Sequence, residues 1–246
     1  MKGNPMRKLT VLAAALASAL AMGTAEATLQ LSANINGTLF NCQDQALCDT
    51  NPVLGQLAIA DQVIGGVRIV GSSQFQTIGT TNFLNTSSFQ IVNTNLAAAT
   101  VIVSVSGIDF LGPITAFADS GSGTWQNANG SDITLTFYID AGNAQGADSP
   151  LDRPGTLVDT FSDNAVGPAD AFSHSFTGPF TTGLLHSMTL GTDGTLAAWN
   201  GAPGTEPTLV GRSQTIITTQ SVPEPSSMAL LGLGLIGAVG FARKKA

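Results

Sequence analysis

Apolar and polar residues alternate with a period of two along most of the middle of this 246-residue chain. That period suits strands, whose side chains point to opposite faces in turn, and does not suit helices. Ile133 to Ile139 (ITLTFYI) is the cleanest case. Thr28 to Phe40 (TLQLSANINGTLF) and ATVIVSVSGIDF from Ala99 also alternate. Shorter β-prone runs occupy Val63 to Val70, Phe89 to Val92, Phe172 to Phe176, Ser187 to Leu190 and Thr215 to Thr219. Gly, Asn, Asp and Pro separate most of these runs, as turn chemistry requires. Asn95 to Thr100 (NLAAAT) is the best helical candidate, Gly121-Ser122-Gly123 reads as a turn, and Gly201 to Gly211 reads as a loop before the last strand. No fixed-period repeat is present, which disfavours solenoids and propellers. The expected fold is all-β: a single β-sandwich domain over residues 28–219, jelly-roll-like or immunoglobulin-like.

Charge is scarce and unevenly placed. Charged residues make up 10% of the chain, against about 25% in an ordinary globular domain. Six of the nine Lys and Arg sit at the ends: Lys2, Arg7, Lys8, Arg243, Lys244 and Lys245. From Thr28 to Val222 only Arg68, Arg153 and Arg212 face fourteen carboxylates, leaving that stretch at −11 with no lysine. Such a surface repels phosphates, so nucleic acid is excluded as a partner.

Both ends look like addresses. Met1 to Lys8 carries three positive charges, Leu9 to Met22 is an apolar run, and Ala25-Glu26-Ala27 offers small residues before Thr28. This is the three-part layout of a secretory signal peptide over residues 1–27, a helix removed by cleavage between Ala27 and Thr28. At the other end, residues 220–246 divide into a motif at 222–227, an apolar stretch at 228–242 and a basic tail at 243–246. As a helix, Met228 to Ala242 would extend roughly 22 Å. A hydrocarbon core is about 30 Å thick, a gap that local thinning and snorkelling lysines can cover. The expectation is a C-terminal transmembrane helix, with Arg243, Lys244 and Lys245 holding its end in the cytoplasm. Gly232 to Gly237 matches G-x-G-x-x-G, but only nine residues follow it and none is acidic, so the βαβ context of a nucleotide loop is missing.

Pro223 and Pro225 bracket Glu224 and force an extended, readable segment ahead of that helix. The run VPEPSSMALLGLGLIGAVGFARKKA resembles the PEP-CTERM sorting signal, with the Pro-Glu-Pro motif, a Gly-rich apolar helix and a basic tail in that order. The resemblance implies recognition by exosortase, a membrane enzyme, with Pro223, Glu224 and Pro225 as the motif that is read. It further implies transient residence in the inner membrane, removal of the C-terminal helix, and delivery of the body to the cell surface or extracellular matrix. It covers about 25 residues and says nothing of the body.

The body offers few candidates for chemistry. Cys42 and Cys48 are expected to form a local disulfide in an oxidising compartment. Asp140, Asn143, Asp148 and Asp152 supply oxygens for a weak calcium candidate, although the EF-hand spacing is absent, and a solvated turn is the blander expectation. No other metal site and no cofactor are expected. His174 and His186 occupy strand-like positions, and no G-x-S-x-G elbow accompanies them. Trp125, Tyr138 and Trp199 could stack on sugars, but core packing is the more economical use of so few large aromatics. The expected function is a non-enzymatic bacterial surface or matrix protein with a structural or adhesive role in biofilm or exopolysaccharide. The alternatives are a carbohydrate-binding module for exopolysaccharide, calcium-assisted, and a secreted hydrolase using His174 or His186.

Overall fold

In the computed structural model, which describes residues 28–220, the first alternating run is not one strand. Asn36 and Gly37 take φ of 51° and 84°, the left-handed pair of a tight hairpin turn. They split the run into β1 (Leu29–Ile35) and β2 (Thr38–Gln43). Ten more strands follow: β3 (Gln56–Ile64), β4 (Val67–Ile78), β5 (Thr81–Asn93), β6 (Ala99–Leu111), β7 (Ile114–Gln126), β8 (Asp132–Asp140), β9 (Thr156–Asn164), β10 (Ala169–Pro179), β11 (Leu185–Leu196) and β12 (Thr208–Gln220). No helix occurs among the described residues. The short helical candidate at Asn95 to Thr100 is instead a bend that runs into β6, where Ala99 and Val101 turn into the core. The expected signal peptide, the Pro-Glu-Pro motif, the expected transmembrane helix and the basic tail lie outside the described residues.

The strands form two antiparallel six-stranded sheets, ordered β2-β1-β6-β11-β8-β9 and β10-β7-β12-β5-β4-β3. Within them β8 pairs with β9, β7 with β10, β6 with β11 and β5 with β12. This nesting of an eight-stranded ribbon rolled across two sheets is the jelly-roll order, and it selects between the two expected sandwiches. The β1–β2 hairpin widens one sheet beyond β6, and β3–β4 widens the other beyond β5.

The core lies between the sheets. Val101, Val103 and Val105 alternate inward on β6, and Ile133, Leu135, Phe137 and Ile139 on β8. They meet Leu84, Phe89, Ile91, Trp125, Leu209 and Ile216 of the facing sheet. Gly121-Ser122-Gly123 is not the expected turn but lies within β7. Its glycines make room: a Cβ at Gly121 would strike Leu135, and one at Gly123 would approach Phe172 to 2.7 Å. One cation is also buried. The β12 register shifts on both sides of Arg212 and Gly211 takes φ +61°, a bulge that re-aims the side chain. The guanidinium donates to Thr192 and to Gln214 Oε1 and lies 5.2 Å from the Phe89 ring centroid. Burial pushes Arg212 down to about 9. Cys42 and Cys48 are joined in a disulfide, closing the short loop after β2.

Candidate functional site

The open edge where β9 of one sheet faces β10 of the other gathers the titratable groups of interest. Strand alternation sets them there. On β7, Phe117, Asp119, Gly121, Gly123 and Trp125 turn inward. On β10, Phe172, His174 and Phe176 stand opposite Gly123, Gly121 and Asp119. From the other sheet, β9 brings Asp159, Phe161 and Asp163 to the same edge at every second position.

His174 Nε2 lies 2.5 Å from Asp159 Oδ2 and 3.9 Å from Asp119 Oδ1. Among the described residues, Asp119, Asp159 and His174 are the group of three whose ligand atoms, one from each, all lie within 4.8 Å of one another. Phe161 stacks on the imidazole at 4.7 Å and 15°, which fixes the ring plane. Asp163 accepts a 2.7 Å hydrogen bond from the buried indole of Trp125, tying β9 to β7 across the gap.

Asp119 is the unusual member. Its side chain is 0% exposed, against 14% for Asp159 and 21% for His174, and neither carboxylate oxygen receives a hydrogen bond from an N–H or hydroxyl group. Burial, the adjacent Asp159 charge and a carboxyl–carboxylate hydrogen bond to Asp159 push it up to about 8. The two acids and the imidazole can thus share a proton or hold a cation, and the second use requires ionised carboxylates.

The residues singled out in sequence are placed differently. Asp140, Asn143, Asp148 and Asp152 brace their own loop. Asp140 accepts the backbone N–H of Gly142 and Ala144, Asn143 exchanges hydrogen bonds with Asp109, and Gln30 donates to Asp148 while Asp152 accepts the Asp148 N–H. His186 is buried on β11, 2.9 Å from Thr218 Oγ1. Neither histidine is hydrogen-bonded to a serine. Trp125 is wholly buried and cannot touch a sugar. Trp199 donates its indole N–H to Ala202 O. The shallow hollow of Asn127, Asn129 and Asn200 that lies next along the chain has those amides bonded to neighbouring backbone. The sequence offers His174 only as a residue of a hydrolase, and Asp119 goes unmarked because Gly121-Ser122-Gly123 beside it reads as a turn. Asp159 opens the acidic run Asp159 to Asp170, and its spacing by two from Phe161 and Asp163 is the signal that marks one strand face.

No curated protein matches the chain. Among solved structures, the carbohydrate-binding module TmCBM61, determined with β-1,4-galactotriose, is 10% identical at a TM-score of 0.32, over 68% of this chain and 90% of that one. A protein of infectious bursal disease virus, Gt strain, is 16% identical at 0.33, over 82% of this chain; the chain spans about half of that protein's length (53%). These likenesses carry nothing about ligands. Beyond the sandwich, residues 221–244 match the family model of the PEP-CTERM protein-sorting motif, so the chain carries that sorting signal directly after its last strand.

Proposed function

We infer that this chain is an exported bacterial protein whose jelly-roll body is handed by exosortase to the cell surface or extracellular matrix, where it has a structural or adhesive role without catalysis. The match of residues 221–244 to the PEP-CTERM motif carries the reading. On it, a signal peptide over residues 1–27 starts export, the stretch at 228–242 holds the chain in the inner membrane, and Arg243, Lys244 and Lys245 stay inside. Exosortase then reads Pro223-Glu224-Pro225 and removes the C-terminal helix. β12 ends at Gln220, so processing there leaves the sandwich whole. The matrix polysaccharide is the surface such a body would meet.

The test is intact-mass spectrometry of the protein from strains with and without exosortase, beside a Glu224→Ala variant. The expected result is loss of the C-terminal segment only when exosortase and Glu224 are both present. A C-terminal segment retained in every strain, with the protein in the inner membrane, overturns the reading.

A further inference from the structure

We propose that Asp119, Asp159 and His174 form a binding site for one divalent metal ion of the zinc or manganese class, at the β9–β10 edge of the sandwich. The inference is independent of sorting and rests on what Asp119 lacks. A side chain fully out of solvent, whose two oxygens receive no hydrogen bond from any N–H or hydroxyl group, is rare in folded proteins because the lost solvation is poorly replaced. Asp119 is aimed at two other potential ligands, and one of them is a second carboxylate.

Apart from the His174 imidazole, which already sits against Asp159 at 2.5 Å, no side-chain cation is at hand to compensate two carboxylates. The described residues contain no lysine, and their three arginines are engaged elsewhere: Arg68 with Asp61, Arg153 with Asp193, and Arg212 with Thr192 and Gln214. A divalent ion would satisfy all three groups together.

The donor set indicates the class of ion. One imidazole with two carboxylates suits borderline metals. Calcium takes six to eight oxygens and no imidazole, which three side chains here do not provide. Ligand atoms around a tetrahedral zinc stand roughly 3.4 Å apart, given bonds of about 2.1 Å. His174 Nε2 and Asp119 Oδ1, at 3.9 Å, are near that spacing, and the 2.5 Å His174–Asp159 contact needs to open by under about 1 Å. Phe161 holds the imidazole plane. The partial exposure of His174 and Asp159 leaves an entry path and a coordination position for water.

The experiment uses the full-length chain in detergent, stripped with EDTA and dialysed. Calorimetric titration with zinc chloride, manganese chloride and calcium chloride is paired with elemental analysis of the loaded protein. The expected result is one equivalent of zinc or manganese per chain, a raised melting temperature on loading, and no comparable calcium binding. Asp119→Asn and His174→Gln should each weaken binding by about 100-fold or more, with unchanged circular dichroism. Asp140→Asn, in the braced loop, should bind as the parent does. Three results overturn the proposal: no stoichiometric zinc or manganese, one equivalent retained in the Asp119 and His174 variants, or calcium bound in preference. Should Asp119→Asn fail to fold, His174→Gln carries the same test from the half-open side of the site.

Discussion

Replacing His186 with glutamine should remove one component of the acid sensitivity of the sandwich while leaving the fold in place. His186 is 0% exposed and lies between the Phe110 ring, 5.7 Å away, and Thr218 Oγ1. Burial, partly opposed by the Phe110 backbone, pushes its imidazole from 6.5 down to about 4. The unfolded chain therefore takes up this proton near pH 6.5, while the folded chain refuses it until about pH 4. In that window the unfolded state binds one proton more, so the His186 contribution to stability falls as the pH falls. The whole gap is worth about 3 kcal/mol, of which about 2 kcal/mol is reached on going from pH 7 to pH 4.5. Glutamine keeps a hydrogen-bonding group for Thr218 and does not titrate. Urea unfolding of both proteins at pH 7 and pH 4.5, in EDTA, cancels the groups they share. The stability difference should move in favour of glutamine by about 2 kcal/mol on acidification. A difference that stays constant across the two pH values refutes a buried neutral imidazole.

Three other perturbations are informative. Asp119→Asn should stabilise the metal-free protein at pH 7, because a carboxylate raised to about 8 costs stability as pH climbs past its unfolded value. The ceiling is roughly 4 kcal/mol, and screening at the sandwich edge reduces it to about 2 kcal/mol; an unchanged or lower urea midpoint contradicts this. Gly123→Val, which drives a side chain into Phe172, should destabilise by about 2 kcal/mol or more, read from the shift in thermal midpoint. Reducing the Cys42–Cys48 bond, which spans six residues of sequence, should lose about 2 kcal/mol of loop-closure stability; melts with and without reductant measure it.

Sequence alone made the sheets legible where alternation was uninterrupted. β8 emerged from ITLTFYI and β6 from the valines after Ala99, because every second residue there is core. The first hairpin was hidden because Asn36-Gly37 turns the chain without breaking the polar–apolar rhythm around it. β7 was hidden for the opposite reason: Gly121 and Gly123 look like turn residues, yet they are small because Leu135 and Phe172 need the volume. The site depends on that misread strand. Asp119 stands forty residues from Asp159, and His174 fifteen further on. Only rolling β7, β9 and β10 to one edge makes them neighbours, and no local pattern encodes that closure. The sorting signal was legible because its parts are contiguous in sequence.

The position of β12 bears on how such a body would carry load. It is the strand that leads directly into the sorting segment, and it lies inside its sheet, paired with β7 on one side and β5 on the other. Tension applied at Gln220 along β12 would be shared by two hydrogen-bond ladders in shear, whereas an edge strand such as β10 could be peeled from a single neighbour one bond at a time. A tether at this end would therefore grip the sandwich by a strand held on both sides, as the proposed structural or adhesive role would require.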